Sequence, residues 1–531
     1  MTDPAAMTRA EREAANIVAV RLIVGMEIHV ELATRRKVFA SAPSPAHRDF
    51  ADAAPNTLTD PVVLALPGAL PVVNERAIEL AAGVGLALGC RLAEVTRFDR
   101  KSYAYPDLPK GYQISQLGLP VCFDGLARVP RLDAHAKPTG AVVEVPIARA
   151  HLEEDAGKLL HELPAELAHL HPGARLAGLI VDLNRAGAAL LEIVTAPTLV
   201  SADEAVSLAR GVRAIARALG ASEGVLEAGH IRFEPNINTE LTFDTGRTVR
   251  TPIVEVKNLN SFKALRGSIE AELRDQPDRW RETGLAFAPG TKTTRGWDDE
   301  RARTTPQRDK EEADDYRYFP DPDLVPIRLT RAWGDRVRDA LPELPCARFE
   351  RYTRELGLEG EPALALSEEP ALAALFDEAV RIALETGASR AESAARAVAN
   401  LLLQSGARLA NERGVPLDAL GLDAHDLGQL GAMREQGELS AQTSDQLMTR
   451  LASGERHPRE LAEAGGMLTV RDAGQLDEWC DAGIAAEPQA ASEFGAGNDK
   501  AVGRLIAAVM RASAGQADAK AARDAVTRKL R

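Results

Sequence analysis

The hydrophobic periodicity of the chain changes character once, and that change limits what the chain can fold into. From about Ile17 to Pro326, apolar residues alternate with polar ones in short runs broken by Pro, Gly and Asn, the period-two pattern of half-buried strands. From about Ile327 onward they recur at i, i+3, i+4 and i+7. Leu372, Leu375, Phe376, Val380 and Leu384 form one such set, and Val502, Leu505, Ile506, Val509 and Met510 another. The expected class is α+β: a strand-rich domain over 17–326, an all-α domain over 327–466 and a small helical tail over 467–531, with Gly465 and Gly466 at the second junction. Residues 1–16, polar and mixed in charge, read as a disordered extension.

With 45% hydrophobic and 27% charged residues, the 531-residue chain has the composition of a soluble multidomain protein. No stretch approaches the apolar length of a membrane span, and residues 1–16 lack the apolar core of a secretory signal, so a cytoplasmic protein without a membrane contact is expected. Cys90, Cys122, Cys346 and Cys480 lie far apart, which excludes a CxxC zinc ribbon. A net charge of -14 excludes a broad basic nucleic-acid surface; the one locally basic segment is 499–531, with eight Lys/Arg against three Asp/Glu. No P-loop, dinucleotide GxGxxG or HExxH occurs.

Several segments carry side chains suited to chemistry. In GMEIHVEL, alternation places Glu27, His29 and Glu31 on one strand face and Met26, Ile28 and Val30 on the other, so Glu27 and His29 can ligate one divalent cation. HLEEDAGK adds His151, Glu153, Glu154 and Asp155; acids so placed repel by roughly 4 kcal/mol per pair at 4 Å, which a shared cation would relieve. DLNRAGAALLEIV reads as a hairpin with Gly187 at the turn and Glu192 in an apolar strand, where an acid needs a partner. FDRKSYAYPDLPKGYQISQ clusters Arg100, Lys101, Tyr103, Tyr105, Lys110, Tyr112 and Gln116, cations and phenols suited to a phosphate or a terminal nucleotide. Lys257, Asn258, Asn260 and Ser261 follow in VEVKNLNSF, and Asp314, Asp315, Tyr316, Arg317 and Tyr318 in DDYRYFPDPDLVP.

Taken in order, GMEIHVEL, FDRKSYAYPDLPKGYQISQ, HLEEDAGK, DLNRAGAALLEIV, VEVKNLNSF and DDYRYFPDPDLVP make the chain resemble, over residues 20–531, the B-subunit family of bacterial tRNA-dependent amidotransferases. That resemblance implies a cradle fold for 17–326, a helical domain, and a YqeY-like tail that grips tRNA. It implies ATP- and Mg2+-dependent activation of the side-chain carboxylate of Glu-tRNA(Gln) or Asp-tRNA(Asn), followed by amidation. The implied partners are a glutaminase A subunit that supplies ammonia, a small C subunit, the misacylated tRNA and a non-discriminating aminoacyl-tRNA synthetase. Position by position, the family's metal pattern falls on Glu27, His29, Glu154 and Glu192, with Glu153 the alternative to Glu154 because strand phase does not choose between them. Glu154, Lys101, Tyr103 and Lys110 fall near the family's active site and ammonia path. The ATP-pocket residues stay unassigned. The reading that competes with the catalytic one is a tRNA-binding scaffold. Departures from the family lie in LEAGHIR and in the tail, at Arg504, Ala507, Ala508 and Ala514.

Overall fold

The computed structural model describes residues 7–160, 178–309, 316–469, 473–513 and 515–531. Asp314, Asp315 and Ala514 lie outside them. Two compact units emerge, Met1–Ala347 and Arg348–Arg531.

The first unit is built on a ten-stranded sheet. Its strands are β1 (Ile17–Glu31), β4 (Cys122–Leu132), β5 (Pro138–Glu154), β6 (Ala189–Thr195), β7 (Ile231–Phe243), β8 (Val254–Lys257), β9 (Thr293–Asp298) and β10 (Arg303–Asp309), with Arg91–Leu92 and Thr248–Arg250 as short additions. The order is β10-β9-β8-β7-β1-β6-β5-β4, and all these pairs but β8–β9 are antiparallel. A smaller sheet joins β2 (Asp99–Ser102) to β3 (Tyr112–Ser115) and to Phe319–Pro320.

Alternation gives the large sheet one apolar face. Met26, Ile28 and Val30 of β1, Leu191 and Ile193 of β6 and Leu152 of β5 are almost wholly buried. Helices α2 (Glu75–Ala87), α3 (Ala202–Ala218) and α4 (Phe262–Thr283) pack on the sheet, each begun by a side-chain cap, Asn74, Ser201 and Ser261 respectively. The opposite face of the sheet is polar at its centre.

Two expectations need correction. The N-terminal segment is ordered from Thr8: α1 (Arg9–Ala14) starts with a capping box between Thr8 and Glu11, and Arg12 donates to the carbonyls of Met7, Arg281 and Glu282. Thr-x-x-Glu is a helix-start signature that outweighs the polar composition around it. The first unit also runs past Pro326. Ile327–Arg328 pairs with Val95–Thr96, and helix Arg331–Asp339 packs on α2.

The second unit is helical throughout its described residues, as the 3.6-residue periodicity requires. Beyond residue 473 its helices close a separate core around Cys480, Phe494, Leu505, Val509 and Val526. Ala508 is buried there and Arg504 pairs with Glu493.

Candidate active site

Antiparallel pairing sets the polar face of the sheet as a grid. β1 against β6 puts His29 opposite Glu192, β6 against β5 puts Glu192 opposite His151, and β1 against β7 puts His29 opposite Arg232. One row therefore reads His151, Glu192, His29, Arg232. The row on one side holds Glu153, Leu190 and Glu31; the row on the other holds Arg149, Val194, Glu27 and Glu234. Residues opposite one another on paired strands share a face, so four strands converge on one polar patch.

At its centre the Nε2 of His29 lies 3.5 Å from Glu192 Oε2 and 3.7 Å from Glu153 Oε1, and His151 Nε2 lies 3.4 Å from the same Glu192 oxygen. One ligand atom each from His29, Glu153 and Glu192 fit within 4.8 Å of one another. Glu153 is 5% exposed and His151 3%, so the charges are out of water. Burial works against the His29 imidazolium, but Glu192, with Glu234 and Glu153 behind it, lifts it to about 9. Burial drives His151 down to about 4 against the pull of Glu192. Glu192, which burial alone would raise, is held well below the usual carboxylate range by His151 and His29. Burial and the neighbouring Glu192 push Glu153 up to about 7. Two buried carboxylates that cannot both ionise comfortably are a site that gains from a cation. The mixed oxygen and nitrogen donors fit a divalent ion: the carboxylates suit Mg2+ and the imidazole also admits Mn2+.

The four sequence-predicted metal ligands are not brought together. His29 and Glu192 meet, but the third member is Glu153. Glu154 is out of phase with it and points to the other face, where it ion-pairs with Lys110 at 2.5 Å and accepts from the Ile114 amide at 2.9 Å. Glu27 turns to another group, with Glu234 and Glu255, bonded by Asn236 at 2.9 Å and neutralised by Lys292 and Lys257. The row spacing explains this: Glu27 sits beside Glu234, one step along the strand from the His29 row.

The basic and aromatic run divides into structural and site-facing residues. Arg100 stacks 4.2 Å over Tyr112 and bonds Asp321 and Asp323, tying the small sheet together, and Gln116 accepts from the Leu152 amide. Lys101 lies 4.8 Å above the Tyr316 ring and 5.7 Å above that of Tyr103. Tyr103, Tyr105, Tyr316 and Tyr318 form a chain of edge contacts with centroids 5.8–6.4 Å apart. Burial and the nearby Glu153 raise both the Tyr103 and Tyr318 phenols well above their ordinary value, which places this wall beside the carboxylates; Tyr103 donates to Gln113 Oε1 at 3.2 Å.

The sequence reading missed Glu234, Glu255 and Lys292 of the second acid group, and it missed Lys37. Lys37 is wholly buried and donates to the carbonyls of Ala186 at 2.6 Å and Leu183 at 3.2 Å, beneath the Gly187 turn and close to Glu154. Burial lowers it to about 8. A lysine in the turn-like TRRK carries no periodic signal, and only the fold shows that it points inward.

A sheet of this order, with imidazole and carboxylates on the polar face and a helical second unit, defines a class, and comparison with known proteins gives it a family. The family described as the GatB/GatE catalytic domain matches residues 22–335, and that described as the GatB domain matches residues 384–530. The chain belongs to the GatB family. It is 38% identical to the B subunit of the aspartyl/glutamyl-tRNA(Asn/Gln) amidotransferase of Thermomicrobium roseum, over 94% of this chain and 96% of that one. The counterparts of the same name from Rhodopirellula baltica and Deinococcus radiodurans are each 37% identical, over 92% and 96% of this chain and 92% and 98% of theirs.

Proposed function

We propose that the chain is the B subunit of a tRNA-dependent amidotransferase, and that it activates the side-chain carboxylate of Glu-tRNA(Gln) or Asp-tRNA(Asn) with ATP and then admits ammonia. The observation that carries this reading is the buried His29, Glu153, Glu192 cluster on the polar face of a sheet whose family is described as catalytic. A carboxylate accepts ammonia poorly until one oxygen becomes a phosphate leaving group, so the chemistry needs a site that binds phosphate among acids. His29, Glu153 and Glu192 would hold Mg2+. Bound there, Mg2+ supplies charge neutralisation on the transferring phosphoryl group.

The chain's own residues divide the remaining work. Lys101, above the tyrosine wall, supplies a positive charge to an anionic substrate, and Tyr103 fixes the wall through Gln113. Lys110 and Glu154, on the other face, stand on the route by which ammonia reaches the acyl group. The nitrogen comes from a glutaminase A subunit, with a small C subunit completing the assembly, and a non-discriminating synthetase delivers the tRNA.

The test is ATP- and Mg2+-dependent amidation of Glu-tRNA(Gln) and Asp-tRNA(Asn) by the chain co-expressed with its A and C partners, with ammonium chloride and then glutamine as donor. Glu192→Gln should lower the rate with both donors by on the order of 100-fold or more. Full activity in that variant would move the chemistry elsewhere and leave this chain a tRNA-holding scaffold.

A further inference from the structure

Most cations bordering the acid patch are already engaged. Arg232 bonds Asp155 at 2.6 Å, and Arg185 bonds the carbonyls of Ala156 and Gly157. Lys257 holds Glu234 and Glu255, Lys292 reaches Glu255, and Lys110 holds Glu154. Arg149 differs. It lies on β5 two and four residues before His151 and Glu153, on the same face, in the row that carries Glu27. Among the described residues it has no carboxylate partner, and its Nε is buried without a hydrogen-bond partner. Rows two residues apart along a strand are separated by about 7 Å, which puts the guanidinium at the border of the cluster without pairing it. Its charge acts on both His151 and Tyr318, so it lies near the cluster and near the Tyr318 end of the tyrosine wall.

A half-buried arginine one row from the His151–Glu192–His29 row, with an unused fork of donors, is arranged for a planar pair of anionic oxygens. We propose that Arg149 binds such a pair on a substrate of this site, either the terminal phosphate of the nucleotide or the carboxylate that receives it. The assignment rests on the activation chemistry proposed above and adds the residue that orients the reacting anion. Glu192 and Glu153 repel that anion; Arg149 offsets them from the neighbouring row.

The test uses Arg149→Lys and Arg149→Met in the complete assembly with ammonium chloride as donor. Rates are measured against ATP and against Glu-tRNA(Gln), and binding of a non-hydrolysable ATP analogue is measured at equilibrium. Loss of a charge-assisted bond to substrate should lower kcat/KM for one substrate by about 10- to 100-fold in Arg149→Met, with Arg149→Lys recovering only part of it because the charge returns without the fork. Weakened analogue binding identifies the phosphate; unchanged analogue binding with a loss on the tRNA arm identifies the carboxylate. Values within about twofold of wild type on both arms, where Glu192→Gln is inactive, overturn the role of Arg149 alone. Activity retained in Glu192→Gln overturns the activation reading instead. A fall in melting temperature in both variants with kinetics unchanged makes Arg149 structural and also overturns the proposal.

Discussion

Replacing Lys110 by Met tests the electrostatics of the inner face of the sheet. The Lys110 side chain is 12% exposed and that of Glu154 only 3%, and the carboxylate also accepts from the Ile114 amide. Removing the ammonium leaves a buried carboxylate with one neutral donor and the more distant Lys37. Breaking a buried pair from one side costs on the order of 3–5 kcal/mol, because the remaining charge keeps its desolvation penalty. The help from Lys37 places the expectation at the lower end of that range. At about 2 °C per kcal/mol for a large unit, Lys110→Met should lower the melting temperature by about 6 °C in calorimetry. Adding Glu154→Gln removes the stranded charge, so the double variant should melt above the single one. A single variant melting within about 1 °C of wild type, or a double variant no better than the single, would refute this picture of a desolvated pair.

Two further outcomes follow from the same region. Lys37 has its folded value depressed to about 8 from an ordinary 10.5, so between these the unfolded chain binds more protons and stability from this group rises with pH. The melting temperature of wild type minus that of Lys37→Met should therefore increase from pH 7.5 to pH 10, and a flat difference contradicts the buried ammonium. Gly187 adopts φ +81 with Lys37 and Glu154 within 4 Å of where a Cβ would stand. Gly187→Ala should cost about 1–2 kcal/mol, read as a lowered midpoint in thermal melts.

Much of this architecture was legible in the residues because period governs both elements and faces. The alternation in GMEIHVEL put His29 and Glu31 on the polar face, where the structure has them. Gly187 has the positive φ expected of a turn, but the hairpin reading fails: Ile180–Asp182 pairs with Lys158–Leu160 in a small sheet of its own, while Ala189–Thr195 joins the large sheet. What the residues could not supply was strand neighbourhood. Glu153 and Glu154 look alike along the chain, and only the pairing of His151 with Glu192 decides which of the two meets His29. Glu27 shares a face with His29, but β7 sets Glu234 opposite it and bonds it through Asn236, and Lys292 reaches it from beyond the sheet's next strand. Lys37 and Arg149 carry no motif of their own. One is defined by a turn folded over it and the other by the absence of an acid opposite it, and both facts belong to tertiary structure.

The central claim is that His29, Glu153 and Glu192 form one cation site. Mn2+ titration followed by electron paramagnetic resonance measures it directly on the chain, comparing wild type with Glu153→Gln and Glu154→Gln. One bound ion should weaken about 10-fold or more in Glu153→Gln and be unchanged in Glu154→Gln. Binding that survives Glu153→Gln and is lost in Glu154→Gln would contradict the site described.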